Sequence, residues 1–516
     1  MNPNIQDEPL AGTTVHMTGI KGSGMVALAE ILTARGARVR GTDTDERFYT
    51  DEILADLGIE VIEWFGAANV LTGTDVLYYS AAYDPETHPE LLRAKELGSP
   101  RYTYNDALGR LSERCDATGI AGVHGKSTST ALAGAIVQAL DVPATVVVGS
   151  MVPDFGNRAA SVRGASFFVA ETCEYRRHFL SFHPDRVMVT SIEADHLDYF
   201  RDYDDIFRAF EEYAGQLSYG GLLTYCADDR GASDLAASIA KRRPDIRLTP
   251  YGLKAEGRFR INTVHTENEQ VRFELSGFDR SLSLRLPGRH NAVNAAGVLA
   301  LVEDILRVDV AAGNPAAIDS TSDMQDNDSP AAGNAVSPES PLIARWERVA
   351  QALSRFRGLK RRSERIGEAG GVTVLDDYAH HPTAITAEIR ALREFFPGRR
   401  IVVDFMSHTY SRTEALLEQF AEALCAADVL MLHRIYASAR EINSGGVHGE
   451  DLAEAARRVS ERNGGTDDSV HYIREPLDAV DSLEAILMPG DVLVTMGAGD
   501  NWRVGRALLE HRRKAE

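Results

Sequence analysis

Short apolar runs alternate with longer stretches whose apolar residues recur every three to four positions, and this cycle repeats three times along the chain. In the first block TVHMTGI (14–20) predicts a strand, GMVALAEILTARG (24–36) an amphipathic helix ending at Gly36, and ARVRGTD (37–43) a second strand. Strand, glycine turn, helix and strand form the opening of a Rossmann-like sheet, which IEVIEW and DVLYYSAA continue to about residue 110. The second block restarts at ATGIAGV (117–123), followed by a Gly-Lys-Ser loop and the helix STALAGAIVQAL. Apolar runs at SFFVAET and RVMVTSIEADH follow, then a β-rich stretch from Tyr251 to Leu286. In the third block VTVLDDYAHHP, RIVVDFMSHTYSRT, DVLMLHRIYA and DVLVTMGAG read as strands that feed glycine turns or helices.

The pattern fails between Asp309 and Leu342, a stretch of Ala, Ser, Asp, Asn and Pro with almost no large apolar residue. Such a composition buries too little surface to offset chain ordering, so residues 309–342 are expected to be a disordered insertion. The expected division is therefore 1–112, 113–308, the insertion 309–342, and 343–516, as three α/β domains. A chain of 516 residues is too long for one core, which agrees with that division. A net charge of -21 argues against nucleic acid as a partner, although helix N-termini can still bind small anions. The four cysteines, Cys115, Cys173, Cys226 and Cys425, form no paired or zinc-like spacing, which suits reduced thiols in a cytoplasmic protein. The polar N-terminus lacks the regions of a secretory signal, and no apolar run has the length of a membrane span.

Chemistry-bearing residues cluster at the ends of the predicted strands. In TGIKGSGM, Gly19, Gly22 and Gly24 would let backbone N–H groups approach a diphosphate, or would simply make a tight turn; the spacing is irregular for a dinucleotide. In GIAGVHGKSTST, Lys126 is suited to phosphate, and Ser127 or Thr128 to Mg²⁺, although Ile120 stands where the general phosphate loop has glycine. ETCEYRRHF and SIEADHLDYF supply Glu171, Glu174, Glu193, Asp195, His196 and Asp198 just after apolar runs, where oxygen ligands suit Mg²⁺. Asn291 and Asn294 of LPGRHNAVNAA precede a helix, which Asn291 is placed to cap. FRGLKRRSERIG concentrates Lys360, Arg361, Arg362 and Arg365. DDYAHHP adds Asp376, Asp377, His380 and His381 without a third zinc ligand, and SHTYSRT adds His408, Tyr410 and Arg412, whose guanidinium can clamp a carboxylate.

Taken in order, TGIKGSGM, GVHGKST, EADH, LPGRHNAVNA, LKRRSERIG, DDYAHHP and SHTYSRT resemble the Mur ligase family over nearly the whole chain outside the insertion. The resemblance implies an N-terminal Rossmann-like domain for UDP, a central P-loop ATPase-like domain and a C-terminal Rossmann-like domain. It implies an ADP- and phosphate-forming amide ligase of peptidoglycan synthesis, working on UDP-N-acetylmuramate and L-alanine with ATP and Mg²⁺, as a cytoplasmic monomer or homodimer. The family's short loop is matched by Gly122, Val123, His124, Gly125, Lys126, Ser127 and Thr128, with Lys126 on the ATP phosphates and Ser127, Glu171 and His196 on the metal. Asn291 and Asn294 would face adenine, Arg362 and Asp377 would complete the ATP site, and Lys126, His196 and Arg362 would carry catalysis. Gly19, Gly22, Ser23, Gly24, Asp43 and Ser80 would hold the UDP-sugar, and Tyr378, His381 and Arg412 the amino acid end. The chain departs from the family pattern at Val123 and Thr409, and ETCEYRRHF replaces the commoner acidic run. The alternatives are a ligase that recycles a ready-made tripeptide onto the same sugar and a catalytically silent UDP-sugar sensor. A dehydrogenase is disfavoured by the irregular first glycine turn.

Overall fold

The computed structural model describes residues 11–48, 50–196, 199–312, 340–437, 446–464, 469–497 and 499–515. The first sheet contains β1 (Thr14–Thr18), β2 (Arg38–Thr42), β3 (Glu60–Ile62), β4 (Val76–Tyr79) and β5 (Arg101–Thr103) in the order β3-β2-β1-β4-β5. All four pairings are parallel, as right-handed helical crossovers require. Helix α1 (Ser23–Ala34) follows the first glycine turn, and the segment from Met25 to Leu32 is buried on every side. Three further helices complete this layer: α2 (Thr50–Asp56), α3 (Pro89–Leu97) and α4 (Tyr104–Ser112), the last opened by a Thr103/Asp106 capping box.

The second sheet has seven strands: β6 (Asp116–Ala121), β7 (Ala144–Val152), β8 (Arg158–Val162), β9 (Phe167–Glu171), β10 (Arg186–Val189), β11 (Leu222–Cys226) and β12 (Arg247–Tyr251). Their order is β12-β11-β10-β6-β9-β7-β8, with only the β7/β8 hairpin antiparallel. Strand β6 is the point where the winding reverses, because its successors go to β7 on one side and β10 on the other; such switch points open a crevice at the strand C-termini. The register sets the crevice walls: Ile120 lies beside Glu171 on β9 and Met188 on β10, and Ala121 beside Val189. Helix α5 (Lys126–Ala139) leaves that end of β6. A small sheet, β13 (Ile261–Glu267), β14 (Gln270–Leu275) and β15 (Ser281–Leu284), accounts for the β-rich stretch.

The third sheet contains β16 (Glu364–Ala369), β17 (Val372–Asp377), β18 (Ile401–Met406), β19 (Val429–Leu432), β20 (Val470–Tyr472) and β21 (Val492–Gly497) in the order β16-β17-β21-β18-β19-β20. Only β16 runs antiparallel to its neighbour. Strands β17, β18 and β21 are buried along their whole length, which explains their uninterrupted apolar sequences. The first two sheets fall in one compact unit and the six-stranded sheet in another.

Helices occupy both ends of the segment expected as an insertion. One helix extends from Arg289 to Ala311 and another begins at Ser340, so Asp309 and the segment up to 342 are not all loop; residues 313–339 lie outside the described residues. The helix continues past 309 because the Asp309 carboxylate is buried against Arg345, 3.3 Å away, on the second helix. Among the described residues no helix is long and apolar enough to cross a membrane.

Candidate functional site

At the first glycine turn Gly19 has a positive φ of 78°, and Tyr83 and Ser80 pack so closely that a Cβ there would meet Tyr83 Cε2 at 2.6 Å. Gly22 caps α1 without any side-chain hydrogen bond, and Ser23 and Gly24 open the helix. Gly24 lies under the ring of Tyr104. Asp43 supports the turn from behind: its Oδ2 accepts the Lys21 N–H at 2.7 Å and its Oδ1 the Thr44 N–H at 2.8 Å. Ser80 accepts the Ala82 N–H at 3.4 Å.

Two residues passed over in the sequence hold this turn. The Lys21 ammonium is buried and bonds the Thr44 and Glu46 carbonyls at 2.9 Å each, with Glu63 at 3.2 Å and Asp51 at 3.3 Å. Glu90 is wholly buried at the start of α3 and accepts hydrogen bonds from Thr18, Thr42, Asn69 and the Gly66 N–H, with the His16 ring 3.2 Å away. Burial alone would push its pKa up, but the bonds from His16, Thr42, Thr18 and Asn69 outweigh it and hold the carboxyl at about 2. No sequence spacing reveals this, since the partners come from three other elements.

The second site is built on the β6 turn. Gly122 has φ 131° and a Cβ there would lie 2.1 Å from Thr190 Oγ1, so the loop closes against the end of β10 only with glycine. Thr190 donates to the carbonyls of Ala121 and His124, and Val123 and His124 donate their N–H groups to Ser191 O and Oγ. The side chain at Val123 takes no part in those bonds, so the departure from the family pattern leaves the loop's backbone scaffold intact. Gly125 caps α5 at φ 79° with no side-chain bond, and Asn294 packs 2.9 Å from where its Cβ would be.

Beyond this loop, the side chains converge. Lys126 Nζ donates to the Gly122 carbonyl, to Val123 O at 3.3 Å and to Glu174 at 3.0 Å. Ser127 donates to Glu171 Oε1 at 3.0 Å, while the Gly149 N–H donates to Oε2 at 2.8 Å. Glu174 is 1% exposed, with His196 Nε2 3.6 Å from it. Burial opposes the charge on Glu174, but Lys126 and His196 hold its pKa below the usual carboxylate range. The bond to Glu174 in turn raises His196. Of the three expected metal ligands, Ser127 and Glu171 are brought together and His196 is placed on Glu174 instead. Thr128 follows in the first turn of α5; Asp195 sits beside His196, Glu193 is exposed 3.8 Å from His124, and Asp198 lies outside the described residues.

In the six-stranded unit the basic cluster divides its tasks. Arg361 bonds Asp376 at 3.1 Å and the carbonyls of Gly497 and Gly499, and Lys360 pairs with Glu364 at 2.5 Å. Arg362 stays exposed, its guanidinium 5.5 Å from the Tyr378 ring centre. Asp377 is buried and spends both oxygens on the N–H groups of Ser363 and Ala379, at 2.7 Å each, so it fixes the turn that carries Arg362. Burial raises its pKa, and burial beside it lifts Glu388, which accepts the Ser363 hydroxyl at 2.7 Å, to about 8. Asn291 lies within the helix that starts at Arg289 rather than before it, so it does not cap that helix as expected; its Nδ2 donates to the Pro287 carbonyl at 2.7 Å. His381 caps the helix Pro382–Phe395. Arg412 carries a buried Nη1 with no hydrogen-bond partner among the described residues. Thr409 adopts φ 67°, which is costly for a β-branched residue.

Comparison with known proteins covers almost the whole chain. Residues 14–115 match the Mur ligase family catalytic domain, 120–302 the Mur ligase middle domain, and 361–499 the Mur ligase glutamate ligase domain. The UDP-N-acetylmuramate--L-alanine ligase of Treponema pallidum is 43% identical over 502 residues, 97% of each chain, and that of Desulfitobacterium hafniense is 36% identical over 499 residues, covering 96% of this chain and 99% of the relative. Among solved structures, the UDP-N-acetylmuramate-alanine ligase of Thermotoga maritima superposes with a TM-score of 0.74 at 22% identity, over 98% of this chain and 100% of that one. A murein peptide ligase from Psychrobacter arcticus gives 0.60 at 19% identity, over 97% and 98%. These two likenesses concern the fold.

Proposed function

The chain belongs to the Mur ligase family, and from that premise we propose that it joins L-alanine to UDP-N-acetylmuramate with conversion of ATP to ADP and phosphate. The observation that carries this reading is the convergence of Lys126, Ser127, Glu171, Glu174 and His196 at the C-terminal edge of one sheet, beside an uncapped helix start.

The substrate's lactyl carboxylate attacks the γ-phosphorus of ATP, the bond to the β,γ-bridging oxygen breaks, and ADP leaves behind an acyl phosphate. That step gathers negative charge, which the Lys126 ammonium and the first N–H groups of α5 offset. The amine of alanine then attacks the acyl carbon, and inorganic phosphate departs as the amide forms. Ser127 and Glu171 present hard oxygen donors within 3.0 Å of one another, a set suited to Mg²⁺, which takes one or two protein ligands and otherwise water and phosphate. Bound there, Mg²⁺ would neutralise phosphate charge. Among the described residues no group of three His, Cys, Asp or Glu side chains holds a metal by itself. In the C-terminal unit, exposed Arg362 and the Arg412 Nη1, which has no hydrogen-bond partner among the described residues, are the cations suited to anionic substrate groups.

Phosphate release from ATP should require both UDP-N-acetylmuramate and L-alanine, and should cease in Lys126→Ala while calorimetry still finds the UDP-sugar bound. Preference for the tripeptide over alanine, or no turnover with alanine, serine, glycine or tripeptide, would overturn the assignment.

A further inference from the structure

The segment between the two nucleotide sites carries a basic side chain that the reading above leaves unused. After β9 the chain passes through Arg176 and Arg177, both in the left-handed region at φ 51° and 59°. The two have opposite fates. Arg177 is consumed by Asp205 at 3.1 Å and Glu212 at 2.7 Å. Arg176 is exposed, its guanidinium lies 5.5 Å from the Tyr175 ring centre, and among the described residues no carboxylate pairs with it.

This segment also connects the two sites. The Tyr175 ring stands 4.8 Å from His196, which contacts Glu174 and through it Lys126. On the other side α4 lies directly on the segment, where Gly109 allows it to approach the Ser181 carbonyl. The first residue of α4, Tyr104, covers Gly24 of the diphosphate turn, and its hydroxyl feels the charge of Glu171. Tyr104 thus stands on the first turn and Tyr175 on the residues around the phosphate loop, with α4 packed between them on the segment.

We propose that Arg176, backed by Tyr175, is a specificity-determining residue that binds an anionic group of the UDP-sugar between the glycine turn and the phosphate loop. The inference rests on the ligase reading, and the shared chemistry is an oxyanion, supplied by either the diphosphate or the lactyl carboxylate. Guanidinium recognises both by paired N–H donors, and stacking on an aromatic ring fixes its plane.

The test is calorimetric binding of UDP-N-acetylmuramate and of UDP-N-acetylglucosamine, which has the diphosphate and lacks the lactyl carboxylate, to the full chain and to Arg176→Ala. Loss of one charge-assisted bond should weaken UDP-N-acetylmuramate about 10- to 100-fold. An equal loss for both ligands places the guanidinium on the diphosphate, and a loss confined to UDP-N-acetylmuramate places it on the carboxylate. Arg176→Lys should recover part of the affinity, and KM for the UDP-sugar should rise without a matching rise for ATP. Arg177→Ala should lower thermal stability and leave both affinities unchanged. Unchanged affinity of Arg176→Ala for both ligands, in a folded protein, overturns the proposal. Because binding is measured without turnover, an absence of alanine ligation by the parent chain would count against the ligase reading alone.

Discussion

Glu174→Gln isolates what the buried carboxylate does for the phosphate loop. The substitution keeps the volume and removes the charge from a site 1% exposed, where both oxygens lie 3.0 Å from the Lys126 ammonium and one lies 3.6 Å from His196. Lys126 keeps the carbonyls of Gly122 and Val123, so the loss is smaller than for a charge stranded without partners. A lost charged hydrogen bond costs about 1.5–3 kcal/mol and a broken buried pair about 3–5 kcal/mol, which places this change near 2–4 kcal/mol. At about 2–4 °C per kcal/mol for a domain of this size, scanning calorimetry should detect a drop of several degrees in Tm. The pH dependence supplies a sharper check. The lowered pKa of Glu174 makes its contribution present above its ordinary 4.5 and lost as pH falls through the folded value. The raised pKa of His196 makes its share full below 6.5 and lost as pH rises through the folded value. Parent and variant should therefore differ most between pH 4.5 and 6.5, and converge in acid. A difference that persists undiminished into acid, or no drop in Tm, would refute the account.

Three further outcomes follow from the geometry. Glu90→Gln should cost about 3 kcal/mol at pH 7, the value of a shift from 4.5 to about 2, with the deficit in urea unfolding shrinking as the parent's carboxyl protonates in acid. Gly122→Ala should abolish ATP binding by equilibrium dialysis while leaving UDP-sugar binding, since its Cβ would fall 2.1 Å from Thr190 Oγ1. Glu388→Gln should match the parent in acid below about pH 4.5 and exceed it in stability increasingly as pH rises toward about 8, levelling off above, because through that window the unfolded carboxyl ionises while the folded state keeps its proton.

The strands and the glycine turns were readable because their information is local: a short apolar run, then glycine, then a helical period. Ile120, which looked like a missing glycine, is a β6 residue registered against Glu171 and Met188, so the loop starts two residues later at Gly122. Arg362 was distinguishable from Arg361 only through the family resemblance, and the geometry now supplies a physical contrast in exposure and pairing. Nothing local marks Glu90 and Lys21, because a charged residue near a helix start or in a turn ordinarily faces water. Their burial depends on partners up to 74 residues away, a dependence no local window contains. The ends of the 309–342 segment are helical for a similar reason, as the Asp309–Arg345 pair joins residues on either side of it.

The place of β6 in its sheet has a consequence for how the protein is made. Both neighbours that wall the phosphate loop are synthesised after it, β9 about 50 residues later and β10 about 70. On the ribosome, α5 can coil as soon as it emerges, but Gly122 has nothing to close against until Thr190 and Ser191 arrive. The closed loop is thus a late product of folding, and a nascent chain that stalls before Val189 would expose it with only one of its walls.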